Sequence, residues 1–201
     1  MKIVDISEKI YSGQIISRVE AKEEVGDEVL EERKVLVPKA ITGGRVTHAD
    51  LGTVKLKKAV DPDRFTSEGD IVIKLSTPYD AAYIEKDDEG LVVPSFCSVI
   101  RGVHVDKVDA KFITAYLNTE YVREMLKSKV AGTTMPMIKL SDVKDLEIPN
   151  VSLVKQKSLG EAYSLSCQKQ DVLREMLDNE QALINSLILN AVKEAQENDQ
   201  E

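Results

Sequence analysis

Between Val35 and Val103 short β-branched runs alternate with polar turns, and after Asp109 the apolar spacing lengthens to that of a helix. The stretch VLVPKAITGGRVTHADLG predicts a strand, a turn at Gly43-Gly44 and a return strand, because Val35, Val37, Ile41 and Val46 favour extended backbone. VKLKKAV alternates and predicts a further strand. IVIKLS predicts a buried strand carrying Ile71, Val72 and Ile73, and TPYDAAYI a continuation of it after a bend at Pro78. EKDDEG reads as a solvated hairpin loop, and LVVPSFCSVIRGV as two strand pieces split by Pro94. Upstream, a turn is expected at Ser12-Gly13, and AKEEVGDEVLEERK is an acidic loop or a short helix around Gly26.

From Asp109 to Val130, Phe112, Ile113, Tyr116, Leu117, Val122, Met125 and Leu126 fall at helical spacing. Asn118-Thr119-Glu120 breaks this into two short helices, with Thr119 capping the second and Gly132 ending it. MPMIKLSDVKDLEIP then predicts a return to strand. From Leu153 onward one long helix is expected, starting near Ser152 or Ser158. Leu159, Tyr163, Ser166, Gln170, Leu173, Leu177, Glu180, Ile184, Leu187 and Ala191 follow the four-three spacing of a heptad seam. A helix of this size reaches roughly 50 Å, too long to fold back within one small globule. Its seam predicts pairing with another copy or another protein; the alternative is a helix lying on its own domain. The expected fold class is therefore α+β: one mixed domain over residues 1–150, a coiled-coil-forming helix over 151–195 and a disordered tail over 196–201.

Composition adds limits. Aromatics are only 4 % and Trp is absent, so the core is aliphatic. Cys97 and Cys167 lie far apart and form neither a disulfide framework nor a zinc pattern. The N-terminus is charged too early for a signal peptide, and no apolar run reaches membrane-spanning length, so a cytoplasmic protein is expected. The net charge of −8 is unevenly spread. Residues 1–33 hold nine acids and five bases, 161–201 nine and three, and 34–160 seventeen and nineteen. The slightly basic middle permits nucleic-acid binding without predicting it, since counterion release needs only a local basic face.

Catalytic signatures are missing from the sequence. It contains no P-loop, GxGxxG, HExxH or GxSxG pattern. His48 and His104 stand apart, and the acidic pairs Asp61/Asp63 and Asp87/Asp88 lack the ligand spacing of a calcium loop. Ser76-Thr77-Pro78-Tyr79 resembles the Asn/Asp-Pro-Pro-Tyr loop of amino-methyltransferases, but the amide or carboxylate is missing, as is a glycine-rich methyl-donor loop. A non-enzyme without cofactor or metal is expected.

Several segments, in order, resemble the DNA specificity subunit of type I restriction-modification systems. Ser67 to Ile73 resembles the family's G-D-I-L strand entry, and Asp109 to Leu126 its helical pair. Gly132-Thr133-Thr134 through Leu140 resembles its G-T-T segment, and Leu146 to Pro149 the strand that stops before the long helix. Val154-Lys155-Gln156 keeps the family's glutamine but has lysine where glutamate is usual. The resemblance implies a target-recognition domain that reads double-stranded DNA. It also implies a helix that spaces two half-sites, a homodimer restoring the two-fold arrangement, a partner methyltransferase subunit and, in some systems, an endonuclease subunit. Candidate DNA contacts are Arg45, Thr47, His48, Lys74, Tyr79, Arg101, Lys129, Thr133, Thr134 and Lys139; candidate pairing residues are Leu159, Tyr163, Leu173, Leu177, Ile184 and Leu187. For each DNA candidate an ordinary surface role is the competing reading. The acidic ends motivate another class: an interaction module or DNA mimic with the same fold.

Overall fold

A computed structural model describes residues 1–22, 24, 26–130 and 136–198. Two compact units emerge, Met1–Ser164 and Leu165–Glu201.

The first unit is built on a four-stranded antiparallel sheet in the order β1-β8-β6-β7, formed by β1 (Ser7–Ser12), β8 (Cys97–Val103), β6 (Ile71–Lys74) and β7 (Ala81–Tyr83). The alternation of its side chains explains the layers. Ile71, Ile73 and Ile100 face one way, onto α1 (Ala110–Leu117) and α2 (Glu120–Lys129), where Phe112, Ile113, Leu117, Val122 and Leu126 complete a cluster. Val72, Val99 and Cys97 face the other way, onto Leu36, Ile41 and Val46. That second layer holds the hairpin β3 (Ile41–Thr42) and β4 (Arg45–Val46). Beside it lies a ribbon of β2 (Glu31–Val35) and β5 (Gly52–Leu56), whose inner residues Val35, Val54 and Leu56 form a third cluster with Val19, Val60 and Val92. Burial on both faces is why IVIK reads as continuous apolar sequence rather than an alternating one.

The second short helix has the expected cap, Thr119 accepting from Val122 N, and the first is capped by Asp109, which accepts from Phe112 N. The proposed end of α2 at Gly132 lies outside the described residues. The long helix α4 runs Leu153–Asn198, and among the described residues no helix is long and apolar enough to cross a membrane.

Four local expectations are corrected. At Pro78 the chain does not bend and continue. It reverses, through a cis Thr77-Pro78 bond and a left-handed Tyr79 (φ 61°), so that β7 pairs antiparallel with β6. The EKDDEG loop does not close a hairpin, because β6 lies between β7 and β8; its 3-10 turn, Lys86–Asp88, buries Asp88. The acidic stretch before Val35 ends in strand β2. Finally, Leu140–Lys144 is a helix, α3, because Asp142 caps the backbone N–H of Lys139. Extended backbone is confined to single bridges, Ser76 with Met137 and Lys2 with Glu147.

Candidate nucleic-acid interface

Gly43 and Gly44 form the two-residue turn of the β3-β4 hairpin, both with positive φ (57° and 84°), the geometry that favours glycine and matches strand twist. The hairpin is seated on β7, where Tyr83 N donates to Gly44 O at 3.0 Å. It presents Arg45 and Thr47 half-exposed, and His48 follows, exposed. His48 Nε2 lies 2.6 Å from Oδ1 of the buried Asp88, and Lys39 closes the base of the hairpin on Asp50 at 2.9 Å.

Arg101 is elsewhere on the same layer. It stacks on the Tyr11 ring and forks onto Asp70, with Nε 2.9 Å from Oδ1 and Nη2 2.6 Å from Oδ2. Asp70 also accepts from Ser67 N, and Asp63 stands 3.6 Å from Arg101 Nη1. The hydrogen bonds that Arg101 donates to Asp70 raise the guanidinium above its ordinary range, and burial pushes the Tyr11 phenol up to about 12. A bidentate pair of this kind is strong and directional. The Gly-Asp step of the strand entry is thus a structural anchor for Arg101. Only 19 % of the Arg101 side chain remains exposed, toward an open groove it shares with Ser67, Tyr83 and Val105.

Two candidates are corrected outright. Lys74 and Tyr79 are buried at 5 % and 1 % exposure. Lys74 pairs with Asp80 at 2.6 Å and donates to Pro38 O, and Asp80 also takes Arg123 at 2.7 Å. Lys74 ends a strand buried on both faces and Tyr79 packs into the first cluster, so both are turned away from solvent. Thr133 and Thr134 lie outside the described residues. Lys129 ends α2, on the helical side of the sheet, 3.8 Å from Asp142; Lys139 is exposed at the start of α3. Arg45 and Arg101 therefore lie on one layer, and Lys129 on the other. Among the described residues, the candidates are not gathered onto one basic face.

Sequence reasoning read VKLKKAV as a strand but missed most of its partner, β2, and so the pairing of the two into a ribbon. Its inner face carries Val35, Val54 and Leu56 beside Glu31 and Arg33, and its outer face exposes Glu32, Lys34, Thr53 and Lys55, with Lys34 Nζ 3.3 Å from Thr53 Oγ1. A two-stranded antiparallel ribbon has the width that enters a major groove. The signal was the period-two alternation of Thr53, Val54, Lys55 and Leu56; its partner strand was masked by the acids around it.

In the first unit, α4 is docked by Gln156, 2 % exposed, which accepts from Asp109 N at 3.0 Å and donates to Val151 O at 2.7 Å. Gly160 sits against α1, where an added Cβ would lie 2.5 Å from Asp109 Oδ1 and 2.6 Å from Phe112 N. Tyr163 lies on Gly44, turned toward its own domain rather than left wholly to a pairing seam. Leu159, Leu173, Leu177, Ile184 and Leu187 are 44–65 % exposed, as are Leu165, Val172, Met176, Leu183 and Ile188.

No family model matches the sequence, and no curated protein matches it. Solved structures do. The HsdS subunit from Thermoanaerobacter tengcongensis superposes over 87 % of this chain and 43 % of its own, with a TM-score of 0.61 at 17 % identity. The fold is that of the type I specificity subunits. The S subunit of the type I restriction-modification system from M. genitalium matches 87 % of this chain and 40 % of its own, with a TM-score of 0.54 at 16 % identity. A structure addressing complex assembly and conformational transition of the type I R-M system matches over 87 % and 43 %, with a TM-score of 0.60 at 14 % identity. This chain spans less than half the length of each of these type I chains.

Proposed function

We propose that the chain is a DNA specificity subunit of a type I restriction-modification system, in which one copy supplies one recognition domain and one long helix. A second copy supplies the other pair, and the assembly directs a partner methyltransferase, with or without an endonuclease subunit. Catalysis belongs to the partner. One observation carries the reading: a fold shared over 87 % of the chain with subunits more than twice its length, ending in a helix whose apolar residues stand exposed. Exposed apolar area on that scale marks an interaction site. Half-site reading falls to the β3-β4 hairpin, with Arg45 and Thr47, and to the β2-β5 ribbon, with Lys34 and Lys55.

The test is reconstitution with a type I methyltransferase subunit and transfer of labelled methyl groups to duplex DNA. Methylation is expected to depend on this chain and on sequence. Methylation that proceeds equally without the chain ends the proposal.

A second reading is favoured by one feature. His48, Lys74, Arg101 and Lys129 each face a carboxylate within the chain, and the net charge is −8. An interaction module or DNA mimic with this fold would bind the methyltransferase and lower its methylation of DNA. The same assay separates the two, because the chain then acts as an inhibitor that excess duplex displaces.

A further inference from the structure

The contact between Tyr163 and Gly44 joins two elements with separate roles in the proposed function. Gly44 is buried and left-handed, and a Cβ built on it would fall 2.5 Å from Cε1 of Tyr163 and 3.0 Å from its hydroxyl oxygen. The ring therefore rests on the turn backbone, and glycine is required twice over: for φ, and for the approach of the ring. Three residues earlier on the same face of α4, the approach is closed further by Gly160 against Asp109 and Phe112, and Gln156 ties the helix to Asp109 N. The start of α4 is thus held on α1, and from that fixed base Tyr163 reaches the hairpin tip.

The hairpin is short. It comprises two residue pairs, Ile41 with Val46 and Thr42 with Arg45. Besides the ring, its restraints include Tyr83 N on Gly44 O, Thr47 N on Ala40 O, the apolar packing of Ile41 and Val46, and the Lys39–Asp50 and His48–Asp88 pairs at its base. A two-stranded hairpin of this length is not stable by itself.

We propose that Tyr163 is a positioning residue for the β3-β4 hairpin: the long helix, through one ring on Gly44, sets the place of Arg45 and Thr47. Resting on the DNA-reading proposal, this makes the element that pairs and spaces also the support of the element that reads. Tyr163 touches no base; it acts through Gly44.

Hydrogen exchange on the full-length chain tests the mechanical step independently of DNA. In Tyr163→Ala, exchange in a peptide covering 40–50 is expected to rise about tenfold or more, with the β8 peptide 97–103 unchanged. Tyr163→Phe, which keeps the ring, is expected to retain wild-type exchange. Wild-type exchange of 40–50 in Tyr163→Ala overturns the inference, and so does an equal rise in both peptides, which would mark general loosening. A parallel arm compares Arg45→Ala and Tyr163→Ala for sequence preference in the reconstituted methylation assay. Both are expected to relax preference at the same base position. Should Arg45→Ala leave preference intact, the hairpin's reading role fails while the exchange data still decide what Tyr163 does.

Discussion

Asp80 shows how a single buried charge organises the sheet edge. It receives Lys74 at 2.6 Å and Arg123 at 2.7 Å, and both Asp80 and Lys74 are at most 8 % exposed. Beside it, the Asn118 side chain accepts from Ala81 N and donates to Ala81 O, so one amide at the end of α1 completes the pairing of β7. Replacing Asp80 with alanine leaves an uncompensated buried ammonium, and such losses run to about 3–5 kcal/mol. Urea unfolding of Asp80→Ala should show a loss in that range; a loss below about 1 kcal/mol would mean the pair is effectively solvated. Cys97 is a second buried group with a clear consequence. Burial pushes its thiol up to about 12, so at pH 8 the thiolate fraction is on the order of 10⁻⁴. Alkylation of Cys97 in the native chain should be far slower than in the urea-unfolded chain, and should accelerate with rising pH up to about 12. Equal rates in the two states would contradict its buried placement.

At the scale of elements, junctions matter more than lengths. Gln156 satisfies Asp109 N and Val151 O together, so one amide fixes the start of α4 on the first unit. Gln156→Ala orphans both groups and should destabilise the first unit by about 1–3 kcal/mol; a neutral effect on its melting would show that α4 is not anchored there. The β2-β5 ribbon gives a prediction of a different kind. If Lys34 and Lys55 meet phosphates, alanine at either weakens DNA binding across all sequences and lowers the salt slope by about 1. Unchanged affinity and slope in both variants would remove the ribbon from the interface.

For the whole molecule, the exposed apolar residues of α4 are the surface on which the proposed pairing is tested. Leu177, Ile184 and Leu187 are 65 %, 48 % and 55 % exposed and share the four-three stripe. Leu177→Asp with Ile184→Asp should convert a dimer to a monomer in analytical ultracentrifugation. Melting of the first unit should stay unchanged, because neither residue belongs to it. A dimer that survives the double substitution would place pairing on another surface.

Period alone was enough for the long helix, the paired short helices with Thr119 at their junction, the Gly43-Gly44 turn and the doubly buried IVIK strand. Each of these is a local preference reinforced by neighbours a few residues away. The reversal at Pro78, the helix at Leu140–Lys144 and the split of β7 from β8 were not legible: the apolar alternation around Leu140 hid a local cap by Asp142, and the strand order depends on β8 pairing with β6 across the distance between them. The candidate site divides in the same way. That Arg45 follows a glycine turn is written in the chain. That Lys74 is consumed by Asp80, that Arg101 is held by Asp70, and that Tyr163 turns inward onto Gly44 is settled only by packing. A charge's partner and a ring's resting place depend on segments far apart in sequence, and no local pattern records which of them will meet.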